Sequence, residues 1–259
     1  MSKKNILIIS IIGTYLILVG CGLYFNIIPY VIEVKAQSEA DVAAKEIIDL
    51  LEASEVKPVL IQEPFKKEFS VADKYKAVLE KMPDVVGKVK IEDTNIDYLA
   101  VQADNNDYYL KKDYDGQESK SGSIFLDFNS NVKQIKENLK GNIVLYGHNM
   151  KSGTMFHNLR YYKNEKYLNE HKIIEFDTLS DDLKWEVFSV YVDSGNCIGN
   201  DTVFDGEEGY KEFLTEIKNK SLVETDVSLD NTSCILSLIT CDYSTDDGRL
   251  FIHAKMLAE

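Results

Sequence analysis

Nine short runs of β-forming residues, separated by turn residues, fill the chain from Val85 to Met256. They span residues 85–91, 96–101, 108–110, 123–128, 142–146, 172–176, 185–192, 233–240 and 250–256. Strands this short and this numerous are typical of a barrel or a sandwich. Helical spacing of apolar residues occurs at 155–162 and 207–218, and the second helix is placed between two of the last strands. The sequence therefore predicts a mainly β domain with a few helices.

Two further helices are predicted before the β-rich part. Apolar residues recur at helical spacing in residues 37–53 and again in residues 70–82. Ser70 is a suitable N-cap for the second helix, and Pro83 ends it. Residues 57–69, which include two prolines, are predicted to be a linker.

A predominantly apolar segment at residues 6–25 is predicted to span a membrane. No charged side chain occurs from Asn5 to Ile32, and about 20 apolar residues are enough to cross a bilayer as a helix. Lys3 and Lys4 precede the segment, so the positive-inside rule places the N-terminus in the cytoplasm. We therefore expect a single-pass membrane protein whose globular part lies on the extracellular face.

Two processing alternatives stay open for this segment. Residues 18–21, Leu-Val-Gly-Cys, have the form of a lipobox, which would lead to cleavage and lipidation at Cys21. Residues 34–36, Val-Lys-Ala, have the form of a signal-peptidase site. Only full secretion would detach the globular part from the membrane.

Charge excludes one class of partner. The formal net charge is −14, and a nucleic-acid partner is not expected because phosphate binding needs a basic stripe, which this sequence lacks. The acidic residues Asp104, Asp107, Asp113 and Asp115 do not have the spacing of an EF-hand calcium loop. We expect a solvated loop there, and the sequence predicts neither a metal nor another cofactor.

The cysteine count points to a free thiol. Cys21 belongs to the apolar segment, which leaves Cys197, Cys234 and Cys241 outside the membrane. An odd number of thiols cannot all pair within one chain, so at least one is free or intermolecular. Cys234 lies in an apolar run and is predicted to be a small buried residue.

Cys241 and Arg249 flank one turn between two predicted strands. An apolar run ends at Cys241, a polar loop follows, and the next run begins at Arg249. The two side chains are then expected to face each other across adjacent strands. A cation beside a thiol favours the thiolate, which is the form a cysteine nucleophile needs.

His148 follows another apolar run, in the sequence Gly147-His148-Asn149. Imidazole titrates near neutral pH, and a histidine at a strand end is well placed for acid/base chemistry. We expect His157 and His171 to be solvated and His253, within an apolar strand, to be structural.

Arginine is rare in this chain. Two of the 29 basic residues are arginine, Arg160 and Arg249, and the other 27 are lysine. Lysine would serve a surface ion pair about as well, so Arg249 invites a functional explanation. Arg160, beside two tyrosines in a predicted helix, is interpreted as a surface residue.

These segments together resemble the sortase family, and class B sortases in particular. The family's Thr-Leu-x-Thr-Cys signature corresponds to residues 237–241, its histidine to His148 and its arginine to Arg249. The order of these residues along the chain, histidine, cysteine and arginine, is also that of the family. Further class B similarity lies at residues 95–98, 106–110, 121–127 and 151–156, so the resemblance extends from Tyr75 to the C-terminus.

The resemblance implies a closed β-barrel of about eight strands and a cysteine transpeptidase of the Gram-positive cell wall. By analogy, the Cys241 thiolate would attack the threonine carbonyl of a sorting signal near the C-terminus of a secreted protein. His148 would act as acid and then as base, and Arg249 would bind the oxyanion or the substrate backbone. An amine of a peptidoglycan precursor or of a pilin subunit would then resolve the thioacyl enzyme.

Five further residues are predicted by this resemblance to contact substrate. Asn106 and Leu110 match positions that line the class B substrate groove, and Thr240, Asp242 and Tyr243 flank the nucleophile. Two structural readings stay open, with Leu110 as a core residue and Asn106 as a turn former.

The signature departs from the family pattern at two positions. Ser237 replaces threonine, and Ile239 stands where class B members often have a small hydroxyl residue. The resemblance therefore does not carry over a substrate contact from that hydroxyl.

Two other functions fit the sequence less well. A papain-like cell-wall peptidase has its cysteine before its histidine, whereas the histidine that follows Cys241 here is His253, in an apolar strand. A non-enzymatic adhesion or scaffold domain would leave the free thiol and both strand-end motifs unexplained. The predicted organisation is a cytoplasmic tip and transmembrane signal-anchor (1–34), a juxtamembrane helix and linker (35–69) and a sortase-like catalytic domain (70–259).

Overall fold

Eight strands close into a barrel. A computed structural model describes Lys45 and residues 71–132, 140–195 and 197–258. The strands are β1 (Val85–Lys90), β2 (Asp97–Val101), β3 (Ile124–Leu126), β4 (Gly141–Tyr146), β5 (Ile173–Thr178), β6 (Lys184–Ser194), β7 (Cys234–Cys241) and β8 (Gly248–Met256). Their order around the barrel is β1, β2, β3, β4, β7, β8, β6, β5. The predicted closed barrel is confirmed.

Strand direction brings three chain segments to one end of the barrel. The pairs β2–β3 and β4–β7 are parallel, and the other six neighbour pairs are antiparallel. Strands β4 and β7 therefore end at the same end of the barrel, and β8 begins there. We call this end, where β7 finishes at Cys241, the β7 end.

Apolar packing holds β7 on both faces. Leu236 and Leu238 are fully buried in the cluster that fills the barrel, whereas Ile235 and Ile239 are buried in a second cluster outside it. Helix α3 (Gly206–Asn219) covers this outer cluster with Tyr210, Phe213, Leu214 and Ile217. Each such buried side chain contributes about 1.5–3 kcal/mol, so the strand that ends at Cys241 is firmly held.

The predicted helices at 70–82 and 207–218 are present as α1 (Asp73–Lys81) and α3. Ser70 was predicted as the N-cap of α1, but the N-cap position is Ala72, which makes no side-chain hydrogen bond. Ser70 itself lies outside the described residues. Asp73 in the first turn favours this start, since a carboxylate interacts well with the positive end of the helix dipole.

The helical segment predicted at 155–162 is a 3-10 helix, η1 (Phe156–Lys163). A short α-helix that the sequence analysis missed, α2 (Glu165–Glu170), follows it. Asn164 caps α2, because its Oδ1 accepts hydrogen bonds from the backbone N–H groups of Lys166 and Tyr167 at 2.9 and 3.2 Å. A single turn η2 (Ile198–Asn200) lies in the loop after β6.

The prediction of a strand at 108–110 is wrong, since the chain forms turns there. The side chain of Asn105 accepts hydrogen bonds from the backbone N–H groups of Asp107 and Tyr108, at 2.9 and 3.0 Å. Such local bonds compete with strand pairing. The β-forming character of the Tyr-Tyr-Leu sequence was outweighed by the asparagine that precedes it.

Several predictions fall outside the described residues. They are the membrane segment at 6–25, the linker at 57–69 and, apart from Lys45, the helix at 37–53. Among the residues that are described, no helix combines the length and the apolar character needed to cross a bilayer.

His253 of β8 is structural, as predicted, and belongs to a buried chain of hydrogen bonds. Its Nδ1 lies 2.6 Å from Ser237 Oγ and its Nε2 lies 3.0 Å from the hydroxyl of Tyr191. Ser237 donates to Asn142 Oδ1 at 2.6 Å, so the serine oxygen accepts from Nδ1–H, and Nε2 accepts from the tyrosine. Only the neutral imidazole satisfies this pattern, and burial lowers the pKa of His253 to about 3.

We expect His253 to make the fold less stable in mild acid. Its pKa is about 3 in the folded protein, against an ordinary value of 6.5. Between these values the unfolded chain binds more protons than the folded one, so the free energy of unfolding falls as pH is lowered. One pKa unit corresponds to about 1.4 kcal/mol, which gives a loss of about 2 kcal/mol from pH 7 to pH 5.

Denaturant unfolding of the protein and of His253→Gln at the two pH values measures this loss. The variant should show a smaller decrease between pH 7 and pH 5, whatever its absolute stability. His171→Gln, which removes a half-buried histidine, serves as the matched control and should keep the decrease. Equal decreases in the protein and in His253→Gln would contradict the assignment.

Candidate active site

Cys241 and His148 both lie at the β7 end, where two adjacent strands finish. Strands β4 and β7 pair in parallel with Tyr146 opposite Ile239, and the N–H of Gly147 continues the ladder by donating to Ile239 O at 3.2 Å. His148 follows Tyr146 by two residues, and Cys241 follows Ile239 by two. The register thus brings the predicted base and the predicted nucleophile to adjacent positions.

Arg249 is the cross-strand partner of Cys241. The pairs Ile239–Phe251 and Cys241–Arg249 succeed each other in the antiparallel ladder of β7 and β8. Ile239 and Phe251 belong to the outer cluster, and side chains alternate along a strand. Cys241 and Arg249 therefore project from the same outer face of the barrel, as the sequence predicts.

The guanidinium of Arg249 is held by its own turn. It donates to Gly248 O at 3.0 Å and pairs with Asp247 Oδ1 at 2.9 Å. Gly195, in the loop after β6, lies beside it, because a Cβ placed there would be 3.5 Å from the guanidinium carbon. The group is still one-third exposed, at 33%, so it retains donors that face solvent.

The imidazole of His148 is fixed by a backbone carbonyl. Its Nε2 lies 2.9 Å from Leu110 O. Because a carbonyl only accepts, Nε2 carries the proton of the neutral ring, and Nδ1 is the unprotonated nitrogen. Gly147 is required beside it, since a Cβ there would lie 2.3 Å from Ile124 Cδ1 and 2.8 Å from Phe156 Cδ2.

Asn149 joins the two strand ends, which the sequence analysis missed. Its Nδ2 donates to Cys241 O at 2.9 Å, and its Oδ1 lies 3.0 Å from Nδ1 of His157. His157 and His171 are both half-buried rather than solvated as expected. Burial and the charge of Arg160 lower the pKa of His157. The position of Asn149 directly after His148 was the one signal in the sequence for this role.

The other two thiols described by the structure suit a nucleophile poorly. Cys197, Cys234 and Cys241 are all free. Burial raises the pKa of Cys234 to about 12, and Cys234 is buried as predicted. Burial also raises the pKa of the half-buried Cys197. Both stay protonated at neutral pH, whereas the thiolate is the reactive form.

Leu110 and Asn106 were predicted to line a substrate groove. Leu110 is half-buried against the cluster around α1, and its carbonyl is the partner of His148. The amide of Asn106 donates to Asp127 Oδ2 at 2.7 Å and accepts from the N–H of Phe128 at 3.0 Å. These bonds tie Asn106 to the segment after β3, 21 and 22 residues along the chain, whereas the local turn is held by Asn105. Substrate contact stays a prediction for both Leu110 and Asn106.

The three residues that flank Cys241 have different environments. Thr240 is buried, and its hydroxyl has no hydrogen-bond partner within the described part of the chain. Asp242 is also buried and is bound by Lys163 and Ser244. Burial alone would raise the pKa of Asp242, but these hydrogen bonds outweigh it and the pKa is lowered.

Tyr243, by contrast, is 74% exposed. Burial raises its pKa, the charge of Cys241 acts in the same direction, and Arg249 acts in the opposite one. The phenol is thus within electrostatic range of both residues. Of the three flanking side chains, Tyr243 is the most accessible to a bound peptide.

Comparison with known proteins identifies one family. The family model described as a Sortase domain matches residues 89–257. Sortase B of Staphylococcus aureus is 36% identical over 184 residues, covering 69% of this chain and 73% of that protein. Sortase B of Listeria monocytogenes is 31% identical over 191 residues, covering 73% and 76%.

A solved sortase structure has the same fold as this chain. The crystal structure of sortase B from Bacillus anthracis in complex with AAEK1 superposes with a TM-score of 0.73 and 34% identity, covering 86% of this chain and 98% of that one. The eight-stranded barrel and the sequence similarity therefore agree. The chain belongs to the sortase family of cysteine transpeptidases, and its relatives are class B sortases.

Proposed function

We propose that this transpeptidase cleaves a C-terminal sorting signal of secreted proteins after threonine and joins the new carboxyl end to an amine of the cell wall. The observation that carries the proposal is the convergence of His148, Cys241 and Arg249 from β4, β7 and β8 at the β7 end. A nucleophile, an acid/base group and a fixed cation are the parts that acyl transfer through a thioester requires.

In the first step the Cys241 thiolate attacks the carbonyl carbon of the threonine. The C–N bond of the scissile peptide breaks, and the leaving amine takes a proton from His148. A thioester between Cys241 and the threonine remains. Nδ1 of His148 is the position from which the proton leaves, because Nε2 is bound to Leu110 O.

In the second step an amine attacks the thioester. The nitrogen gives a proton to His148, the C–S bond breaks, and the Cys241 thiolate is restored. One amide has been exchanged for another, so the reaction needs neither an oxidant nor an energy-rich cofactor. The acceptor that we propose is an amine of a peptidoglycan precursor. The alternative acceptor is an amine of a pilin subunit, and the assay below distinguishes the two.

Arg249 would stabilise the negative charge that develops on the threonine carbonyl oxygen in both steps. Its donors that face solvent lie across the strand pair from Cys241. A fixed donor directed at a developing oxyanion is worth about 3–4 kcal/mol in acyl-transfer enzymes. Tyr243, Leu110 and Asn106 are the neighbouring residues that we propose as the walls of the peptide site.

We also propose that the domain acts on the outer face of the cell membrane. Support comes from the apolar segment at residues 6–25 and from the lysines that precede it. Protease added to intact cells, after removal of the wall, should digest the catalytic domain while a cytoplasmic marker survives. Protection of the domain until the cells are lysed would refute this orientation.

The activity is tested with a panel of quenched peptides that carry candidate sorting signals. Each peptide is incubated with the protein, with and without an acceptor: a glycine oligomer, a peptide with a diaminopimelate side chain, or a pilin-type lysine peptide. Mass spectrometry then identifies the bond that is cut and the bond that is formed. A matched peptide with valine in place of the threonine is the control.

We expect cleavage after threonine and a new amide to one class of acceptor, whose yield rises with acceptor concentration. The acceptor class separates wall anchoring from pilus assembly. Release of the free acid at the same rate with every acceptor would instead identify a hydrolase. Cleavage of the valine control as fast as the threonine peptide would refute the proposed specificity.

A further inference from the structure

The 3-10 helix η1 bonds directly to His148 and is linked to Cys241 through Asn149. At its first residue, the N–H of Phe156 donates to His148 O at 2.9 Å. At its second residue, His157 reaches Cys241 through Asn149. At its last residue, Lys163 forms an ion pair with Asp242. One short element therefore holds the loop that carries the base and the strand end that carries the nucleophile.

The direction of each hydrogen bond around Asn149 follows from its amide. Nδ2 donates to Cys241 O, so Oδ1 is the acceptor that faces His157. The imidazole must therefore donate from Nδ1. If His157 lost this donor, Oδ1 of a half-buried amide would lack its partner, and the amide could rotate away from Cys241.

We propose that His157 and Asn149 are positioning residues that keep Cys241 in register with His148. The inference rests on the proposed function of that pair, and neither residue needs to touch substrate. The nucleophile and its proton-transfer partner must meet within about 1 Å of the productive geometry, since a misplacement of that size costs about 100-fold in rate. Substrate binding, which depends on other side chains, should change little.

A matched set of variants tests the role of the Nδ1 donor. His157→Leu removes the donor, whereas His157→Asn places an amide N–H near the position of Nδ1 and is close to leucine in size. His171→Leu is the control, because His171 is also half-buried and also bonds through Nδ1, at 2.9 Å to Tyr167 O, away from Cys241. kcat and KM for the sorting-signal peptide are measured for all of them, with Tm as a check on folding.

We expect His157→Leu to lower kcat about tenfold, as the loss of one well-made hydrogen bond predicts, with KM within about twofold. His157→Asn should recover most of the loss, and His171→Leu should match the wild type. The inference is overturned if His157→Leu keeps the wild-type kcat, if His157→Asn is as slow as His157→Leu, or if KM rises while kcat is constant.

Asn149→Asp provides an independent route should His157→Leu fail to fold. Aspartate still accepts from His157 but cannot donate to Cys241 O, so kcat should fall at least tenfold with little change in KM. A wild-type kcat in this variant would also overturn the inference. If the wild-type protein cleaves no sorting signal, the proposed function has failed, whereas an active wild type with equally active variants refutes only the positioning role.

Discussion

Cys241→Ala is expected to abolish both cleavage of the sorting-signal peptide and transfer to the amine. Without the thiol no thioester forms, and removal of the nucleophile from an enzyme of this kind lowers kcat by a factor of at least about 10⁴. The half-buried side chain lies at the end of β7, so its replacement should leave the fold intact. Peptide cleavage followed by fluorescence measures the loss.

Cys234→Ala is the matched control, because it makes the same change at the other end of the same strand. Cys234 is 5% exposed, and removal of its sulfur should lower Tm through a small cavity while activity is retained. A thioester adduct, seen by mass spectrometry with the wild type and with Cys234→Ala but not with Cys241→Ala, would locate the nucleophile directly. Activity that survived in Cys241→Ala would exclude this cysteine.

The arrangement of the strand ends could be predicted from sequence because it depends on local patterns. The apolar run that ends at Cys241, the polar loop after it and the run that begins at Arg249 define a hairpin, and a hairpin places its end residues opposite each other. The position of His148 beside these two residues could not be predicted from local patterns, since β4 and β7 are about 90 residues apart. Family resemblance supplied that link, and residue patterns alone did not.

Other features could not be predicted because they depend on contacts between distant residues. Asn149 and His157 have a role only when the loop after β4 meets the end of β7. His157 was interpreted as solvated because it lies off the apolar face of its helix, which is formed by Phe156, Leu159 and Tyr162. Its burial depends on Asn149, in a different segment. The side chain of Asn105 bonds to the backbone and favours turns where a strand was predicted. The side chain of Asn164 bonds to the backbone and caps α2, a helix that was not predicted.

The two departures from the family signature prove to be structural in this protein. Ile239 is 3% exposed and packs in the outer cluster against Phe251 and Val144, so its side chain fills space beneath α3. Ser237 is fully buried and completes the hydrogen-bond chain from His253 to Asn142. Both side chains support the strand that carries Cys241, and neither is exposed to a peptide.

Arg249→Lys is expected to lower kcat/KM by about 100-fold although it preserves the charge. The guanidinium pairs with Asp247 and Gly248 O and still has donors that face solvent near Cys241. A lysine ammonium is a compact point charge without a planar fork of donors, so it cannot hold this geometry and also reach an oxyanion. Loss of one oxyanion donor costs about 100-fold or more. Steady-state kinetics with the sorting-signal peptide measure the effect.

Arg160→Lys makes the same substitution at the other arginine of the chain. Arg160 is exposed and lies over the ring of Tyr161, with the guanidinium carbon 5.8 Å from the ring centroid. Lysine can retain much of such an exposed contact, which is worth about 0.5–1 kcal/mol, so kcat/KM should stay close to the wild-type value. If both variants lost activity equally, the forked geometry of Arg249 would have no special role. A large loss confined to Arg249→Lys would explain why a chain with 27 lysines and two arginines has an arginine opposite Cys241.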